Sequence, residues 1–443
     1  MDEALRYLLS LGHETVAIKL GLRNIERLLE ALGQPERAFP AVQIAGTNGK
    51  GSTAVLLERI CGAAGITTGL YTSPHLVSIT ERIRTNGLEI QAEEFARLIG
   101  LVREQAEHLL DEGELAALPT FFEHVTAAAL VAFSEARVGL AILETGLGGR
   151  LDATTAARAG LVALTPIALD HQDYLGPSIV EIASEKAAIV RPGVTAIVAP
   201  QSPEALEVIL KQCAASDVTP RLVPDDMLEV LGTDETGRLR ARIKTATDSY
   251  ENVRVNLRGR HQLTNVAVAV HIAEALRESG FDIPRAAIIE GIETAEHRGR
   301  LELWAGQPSI LFDGAHNEAG ARALRAFLDE FVAAPVTLVF GAMRDKHLSE
   351  IAAALFPAAS RLILTQPVSP RAATPEELEN HVPPGIDSSR ITLVASAGEA
   401  VRLARAQTSP GGLILITGSL YLVGETQRAL REQAAHTRSS SEL

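Results

Sequence analysis

The chain is poor in cysteine and in aromatic side chains: its 443 residues include two Cys, one Trp and 4% aromatics in all. Cys61 and Cys213 stand alone in apolar or helical stretches without C-x-x-C spacing. That excludes a disulfide framework and suits two buried thiols in a reducing compartment. Positive charge is also scarce. With 41 Lys and Arg against 55 Asp and Glu, the formal net charge is −14. A broad basic face for nucleic acid is therefore not expected, although a local basic pocket for an anionic nucleotide is compatible with this balance. The longest uncharged run, Ala406–Gly424, approaches the ~20 residues of a membrane span. Its Gln407, Thr408, Ser409, Pro410 and paired glycines read instead as a loop and a buried strand. Met1–Ser10 carries Asp2, Glu3 and Arg6 and lacks the apolar core of a signal peptide. A cytoplasmic location with no membrane partner is expected.

What is present is alternation. Residues 1–35 read as helices (Leu5, Leu8, Leu9, Leu11, then Leu20, Leu22, Ile25, Leu28, Leu29). Beyond them, strand-like runs at Val42–Ala45, Gly69–Thr72, Gly139–Glu144, Leu161–Pro166 and Thr195–Ala199 alternate with helical patterns at 53–64, 92–110, 122–136, 178–190 and 203–214. This predicts an α/β architecture with a mostly parallel, helix-covered sheet. Residues 220–258 read as short strands forming an antiparallel edge. A second alternating block has strands at Ser309–Phe312, Val336–Phe340, Arg361–Thr365, Ile391–Val394 and Leu413–Thr417, and a polar tail, Ala434–Leu443, is expected to fray.

The most informative stretch is Gly46-Thr47-Asn48-Gly49-Lys50-Gly51-Ser52-Thr53, between a buried strand and a helix. Glycines let backbone N–H groups close around phosphate oxygens, and the helix N-terminus favours the anion. Lys50 suits the outer phosphates, and Ser52 or Thr53 a nearby metal. The loop departs from G-x-x-x-x-G-K-[ST]: it is shorter, and Gly51 separates the lysine from the hydroxyl. Other groups lie near strand ends, where open parallel sheets bind ligands. They are Thr72-Ser73-Pro74-His75, the run from Glu144 to Asp152, Asp170-His171, and Lys186 in a helix with few other charges. Ser73 and Glu144 are hard oxygen ligands suited to Mg²⁺. A desolvated Lys186 can lose its proton and take up carbon dioxide as a carbamate, an oxygen ligand.

Taken in order, these motifs resemble folylpolyglutamate synthase and dihydrofolate synthase, members of the Mur ligase superfamily. The resemblance rests on Gly-Thr-Asn-Gly-Lys-Gly-Ser, Thr-Ser-Pro-His-Leu with Glu81-Arg82-Ile83-Arg84, Glu-Thr-Gly-Leu-Gly-Gly-Arg-Leu-Asp-Ala, Leu-Asp-His-Gln-Asp-Tyr-Leu-Gly and Ser-Glu-Lys-Ala. It continues through His297-Arg298-Gly299-Arg300, Phe312-Asp313-Gly314-Ala315-His316-Asn317, Gly341–Lys346 and Thr417–Tyr421. It spans about residues 15–425. It implies an N-terminal P-loop ATPase domain of Mur-ligase type over 1–296 and a smaller, C-terminal Rossmann-like α/β domain over 297–443. In the implied site, Gly46, Thr47, Asn48, Gly49, Lys50, Gly51 and Ser52 hold the ATP phosphates, and Asn265, Arg300, Asp313 and His316 complete the nucleotide site. Ser73 and Glu144 bind one Mg²⁺; His171 and carbamylated Lys186 serve a second. Lys50, His171, Lys186 and His316 act in catalysis. Arg82, Thr120, Phe121, Phe122, Glu123, Leu151, Asp152 and Ala153 wall the pterin substrate. The implied substrates are ATP, L-glutamate and dihydropteroate or a reduced folate, and the implied state is a monomer.

Three departures stand out. Ala153-Thr154-Thr155-Ala156 follows Asp152 where an asparagine after the threonine is common, Lys19 stands where an acidic residue is common, and His297-Arg298 replaces the proline of Pro-Gly-Arg. The expected function is an ATP-dependent glutamate ligase, bifunctional as dihydrofolate and folylpolyglutamate synthase. The alternatives are a synthase that only extends the glutamate tail, and a non-catalytic nucleotide switch. The chain lacks the Asn-Lys-x-Asp of a guanine site and keeps Lys50, Glu144, His171 and Lys186, which a degenerate ligase would be expected to lose.

Overall fold

A computed structural model describes residues 1–12 and 21–441. Lys19 lies outside the described residues. Among those described, the strands form three sheets. The first contains β1 (Ala41–Ala45), β2 (Thr68–Tyr71), β3 (Ile83–Thr85), β4 (Leu88–Glu89), β5 (Leu140–Glu144), β6 (Leu161–Leu164), β7 (Thr195–Val198) and β8 (Arg221–Leu222). Their spatial order is β4-β3-β2-β5-β1-β6-β7-β8, parallel from β2 to β8 and antiparallel across the β3–β4 hairpin. β1 is buried along its whole length, and its side chains alternate between two cores. Val42 and Ile44 pack with the phosphate-loop helix Lys50–Ala63 and helix His261–Glu278, while Ala41 lies with helices Ala92–Asp111 and Phe121–Glu135.

Residues 228–255 correct the expected sheet edge. β9 (Leu228–Thr233), β10 (Leu239–Lys244) and β11 (Ser249–Val255) form a sheet of their own, antiparallel throughout. On β10 the alternation Leu239, Ala241, Ile243 faces inward and joins Val253 and Val255 against the helices that cover β1. Only β8 from this region joins the large sheet.

The third sheet runs β12 (Glu302–Trp304), β13 (Ser309–Phe312), β17 (Leu413–Thr417), β14 (Val336–Phe340), β15 (Arg361–Thr365), β16 (Ile391–Val394). All neighbours are parallel except the β12–β13 pair. Leu413 and Leu415 face one core and Ile414 and Ile416 the other. Helix Leu420–Ser441 enters the tail expected to fray, and residues 442–443 of that tail lie outside the described residues. No helix among the described residues is long and apolar enough to cross a membrane.

The first turns of that last helix meet the segment after β2. A Cβ on Gly424 would lie 1.8 Å from the Leu76 carbonyl oxygen, and the Arg428 guanidinium donates to the Val77 carbonyl at 2.9 Å. Backbone sits against backbone, so no side-chain rotation relieves an added methyl. Gly424→Ala is expected to destabilise the chain by about 2 kcal/mol or more, measured by urea unfolding; a loss below ~0.5 kcal/mol would show that the two segments separate easily.

Candidate active site

The loop after β1 is held from several directions. Gly46 and Gly49 both have positive φ, at 147° and 89°. A Cβ at Gly46 would lie 1.9 Å from Thr165 Oγ1, and one at Gly49 2.1 Å from Asn265 Oδ1. Glycine is required on both counts. The Thr47 and Asn48 amides donate to the Pro166 carbonyl (3.0 and 3.2 Å), and Thr47 Oγ1 pairs with both the Ala168 carbonyl and its amide. These two amides are thus engaged within the protein. Lys50 Nζ folds back onto the Gly46 and Thr47 carbonyls (3.1 and 3.2 Å), and Lys186 Nζ donates to the same Gly46 carbonyl at 2.9 Å. Two lysine nitrogens therefore converge on one oxygen at the mouth of the loop. Buried Asn265 is oriented by Gln262 at 2.8 Å.

Glu144 ends β5 beside the loop. Among the described residues it accepts one hydrogen bond, from the Ser73 amide at 3.1 Å. Burial pushes its carboxyl upward, opposed by Lys50, the Ser73 amide, Arg300 and Arg82. A buried, under-satisfied carboxylate next to the Ser73 hydroxyl segment fits a hard divalent cation. Burial, together with Lys50, pushes Lys186 down to about 7. His171, at positive φ (52°), is pushed down to about 3, chiefly by burial, with Lys346, His316 and Lys186 adding to it against Asp170. A neutral imidazole and an amine that loses its proton near neutrality both suit a metal-side role.

The structure adds a residue to the expected set. Asp170 gathers Lys346 Nζ (2.5 Å), the Asn317 amide (3.1 Å), His316 Nε2 (3.4 Å) and its neighbour's backbone N–H (2.9 Å). Burial alone would raise its carboxyl, but His316, His171 and Lys346 hold it far below the usual carboxylate range. Asn317 also reaches Asn48 of the loop at 3.1 Å. The second α/β block is thereby latched to the first across a cleft of about 220 Å³, lined by Asp170, His171, Tyr174, His316, Asn317 and Lys346 among others. Asp313 holds the turn beneath it, accepting from the Leu301 and Ala315 amides (2.9 Å each). Arg300 lies beside Gly314, its Nη1 3.0 Å from where a Cβ there would sit.

The expected pterin wall divides. Arg82 is 1% exposed, with its Nε on His75 Nδ1 at 3.0 Å and its guanidinium 5.4 Å from the Phe121 ring centre. The Phe122 ring fills the space that a Cβ at Gly146 would need (2.6 Å), and Leu151 stays exposed. Thr120 and Glu123 form a reciprocal capping box at the start of helix Phe121–Glu135, so their polar atoms serve the helix. Asp152, with buried Ala153 after it, accepts from the Gly146 and Leu147 amides on one oxygen and from Thr154 N and Oγ1 on the other. Its lone pairs are taken by the framework in this arrangement. Thr154 and Thr155 in turn hold buried Gln43 of β1 (3.0 and 2.7 Å), so the departure at this segment faces the sheet.

Lys186 yields a test by linkage. Its folded pKa lies below the unfolded value, so the stability it contributes is full above about 10.5 and is lost as pH falls toward about 7. Lys186→Met removes that dependence. The variant is expected to be more stable than the parent near pH 7, with the gap closing toward about pH 10. Urea unfolding at both values checks this; an unchanged gap would mean that Lys186 keeps an ordinary proton affinity.

Comparison with known proteins identifies the family. Residues 44–273 match the Mur ligase middle domain and residues 299–420 the Mur ligase glutamate ligase domain. The chain is 33% identical to the dihydrofolate synthase/folylpolyglutamate synthase of Bacillus subtilis (strain 168) over 430 residues, 95% of this chain and 97% of that one. It is similar to the structure of E. coli FolC in complex with DHPP and ADP, with a TM-score of 0.85 and 30% identity over 98% of each chain. A bifunctional folylpolyglutamate synthase/dihydrofolate synthase with Mn, AMPPNP and L-glutamate bound gives a TM-score of 0.82 at 29% identity, over 96% of this chain and 97% of that one. The chain belongs to the Mur ligase family, among the dihydrofolate synthase/folylpolyglutamate synthases.

Proposed function

We propose that this chain joins L-glutamate to folate-type carboxylates at the expense of ATP, acting as both dihydrofolate synthase and folylpolyglutamate synthase. The observation that carries the reading is the convergence of Lys50 and Lys186 on the Gly46 carbonyl, in the loop beside the buried Glu144 carboxylate. Amide formation from a carboxylate needs an activated acyl group. Transfer of the γ-phosphoryl group to the carboxylate supplies it as an acyl phosphate; the glutamate amine then attacks the acyl carbon and phosphate leaves. The first step brings two anions together. Lys50 lowers that repulsion, and the Lys50–Ser52 amides hold the phosphates in line. Ser73 with Glu144, and His171 with Lys186 as its carbamate, would hold divalent metal, which would supply neutralisation of phosphate charge there. The latch of Lys346, Asn317 and His316 onto Asp170 shields the acyl phosphate from water. Phe121 and Phe122 beside Arg82 suit a flat, hydrogen-bonding pterin ring. The two functional blocks are taken as residues 1–296 and 297–443, in a cytosolic monomer.

The test is product mass spectrometry with ATP, Mg²⁺ and L-glutamate, run in parallel on 7,8-dihydropteroate and tetrahydrofolate. Gain of one glutamate on both is expected. Gain on tetrahydrofolate alone would reduce the reading to tail extension, and nucleotide binding with no gain on either would favour the non-catalytic switch. Glu144→Gln is expected to lower kcat by about 10² or more while leaving the chain folded; near-normal turnover would remove Glu144 from the metal site.

A further inference from the structure

The segment joining the two α/β blocks contains His297, which lies outside the expected site set. Its Nδ1 is 3.1 Å from Ser52 Oγ, in the first turn of the phosphate-loop helix. Its ring also explains an oddity of the loop. A Cβ on Gly51 would lie 2.9 Å from His297 Cε1 and 3.3 Å from both His297 Nε2 and Glu144 Oε2. The imidazole occupies the space that a side chain between Lys50 and Ser52 would fill. The unusual glycine in the loop and the histidine in the joining segment are thus one packing arrangement.

The next residue fixes where that ring can be. Arg298 Nη1 is 3.4 Å from Glu81 Oε1 and 3.9 Å from Glu89 Oε1, and its Nη2 is 3.4 Å from Gln427 Oε1 in the last helix. Glu81 is itself anchored, accepting the Leu76, Val77 and Ser78 amides (2.8, 3.0 and 3.0 Å). The dipeptide therefore touches the phosphate-loop helix through His297, and the hairpin side of the first sheet and the last helix through Arg298. Burial, with the nearby Arg300 and Arg84, lowers the proton affinity of the His297 imidazole, and its contact to the uncharged Ser52 hydroxyl is a hydrogen bond.

We propose that His297 is a positioning residue of the nucleotide site: it fixes the Ser52 hydroxyl at the phosphate-loop mouth, and Arg298 makes that contact depend on how the second block is seated. The inference rests on the nucleotide-binding reading above. A hydroxyl on an exposed rotor samples several directions; one tied to a ring held from two sides meets a phosphate or its cation already oriented, and affinity rises because less order is lost on binding. Nucleotide held at the loop then favours the seated arrangement by the same amount, since the coupling is reciprocal.

Calorimetry with ADP and Mg²⁺ on the full chain tests this without turnover. Ser52→Ala and His297→Ala are each expected to weaken binding by about fivefold to tenfold, and the double variant by no more than the worse single, because both remove one contact. His297→Asn, whose amide can still reach the hydroxyl, is expected within about twofold of wild type. Arg298→Ala is expected to weaken binding by about threefold in wild type and not at all in Ser52→Ala. Thermal unfolding is run on each variant to separate binding from folding. Losses that multiply in the double variant, or an Arg298→Ala loss that persists in full without the Ser52 hydroxyl, would overturn the proposal; the Arg298 comparison decides it if His297→Ala does not fold. Wild type failing to bind ADP would remove the ligase reading together with this one. Binding by wild type with independent losses removes this one alone.

Discussion

The phosphate loop is a place where three parts of the chain come too close for a side chain. Gly46 faces Thr165 at the end of β6, Gly49 faces Asn265 on helix His261–Glu278, and Gly51 faces His297 between the blocks. Each close approach brings a different element to the same few atoms, and each is lost if a methyl is added. The convergence of Lys50 and Lys186 on Gly46, the orientation of Glu144 and the placement of Ser52 all follow from that compression. Close packing of this kind transmits displacement, because neighbouring atoms have no slack to absorb it.

Electrostatics divides the labour across the cleft. The first block contributes Asp170, and the second brings Lys346, His316 and Asn317 to it. Lys346 and Asp170 are both nearly excluded from water, with side chains 8% and 6% exposed. A pair buried to that degree is held by its further hydrogen bonds as much as by charge, and removing one partner is far more damaging than never having had the pair. The latch thus rests on several simultaneous contacts to one carboxylate.

Much of the fold was legible in the sequence because apolar runs bounded by turn residues are local signals. The strands at 42–45, 140–144, 309–312, 336–340, 361–365, 391–394 and 413–417 fall within a residue or so of where the pattern puts them. The misses are short or two-faced. The β3–β4 hairpin has two or three residues per strand, and β12 hides inside the motif around Arg300. The three-stranded sheet alternates as an edge would, but which helices receive its apolar face is decided far away in sequence. In the candidate site, Lys50, Glu144, Lys186 and His171 could be singled out from the sequence because their motifs are contiguous. Asp170 was adjacent to a recognised residue, but its importance comes from Asn317 and Lys346, 147 and 176 positions away. Asp152, Thr120 and Glu123, expected at the pterin wall, also hold turns and a helix start with their side chains, which the motif alone does not reveal. Local sequence shows which groups are polar; only the fold shows whether their lone pairs are spare.

The charge division at the cleft has a consequence for dissection. If the chain were severed between Thr294 and Arg300, one fragment would carry an acidic socket and the other the cationic plug that fits it. The pieces would recognise each other through complementary charge, and added salt would weaken their reunion. Such a split pair would report on whatever fills the cleft, since an occupant that bridges the two halves acts as an adhesive between separate polypeptides.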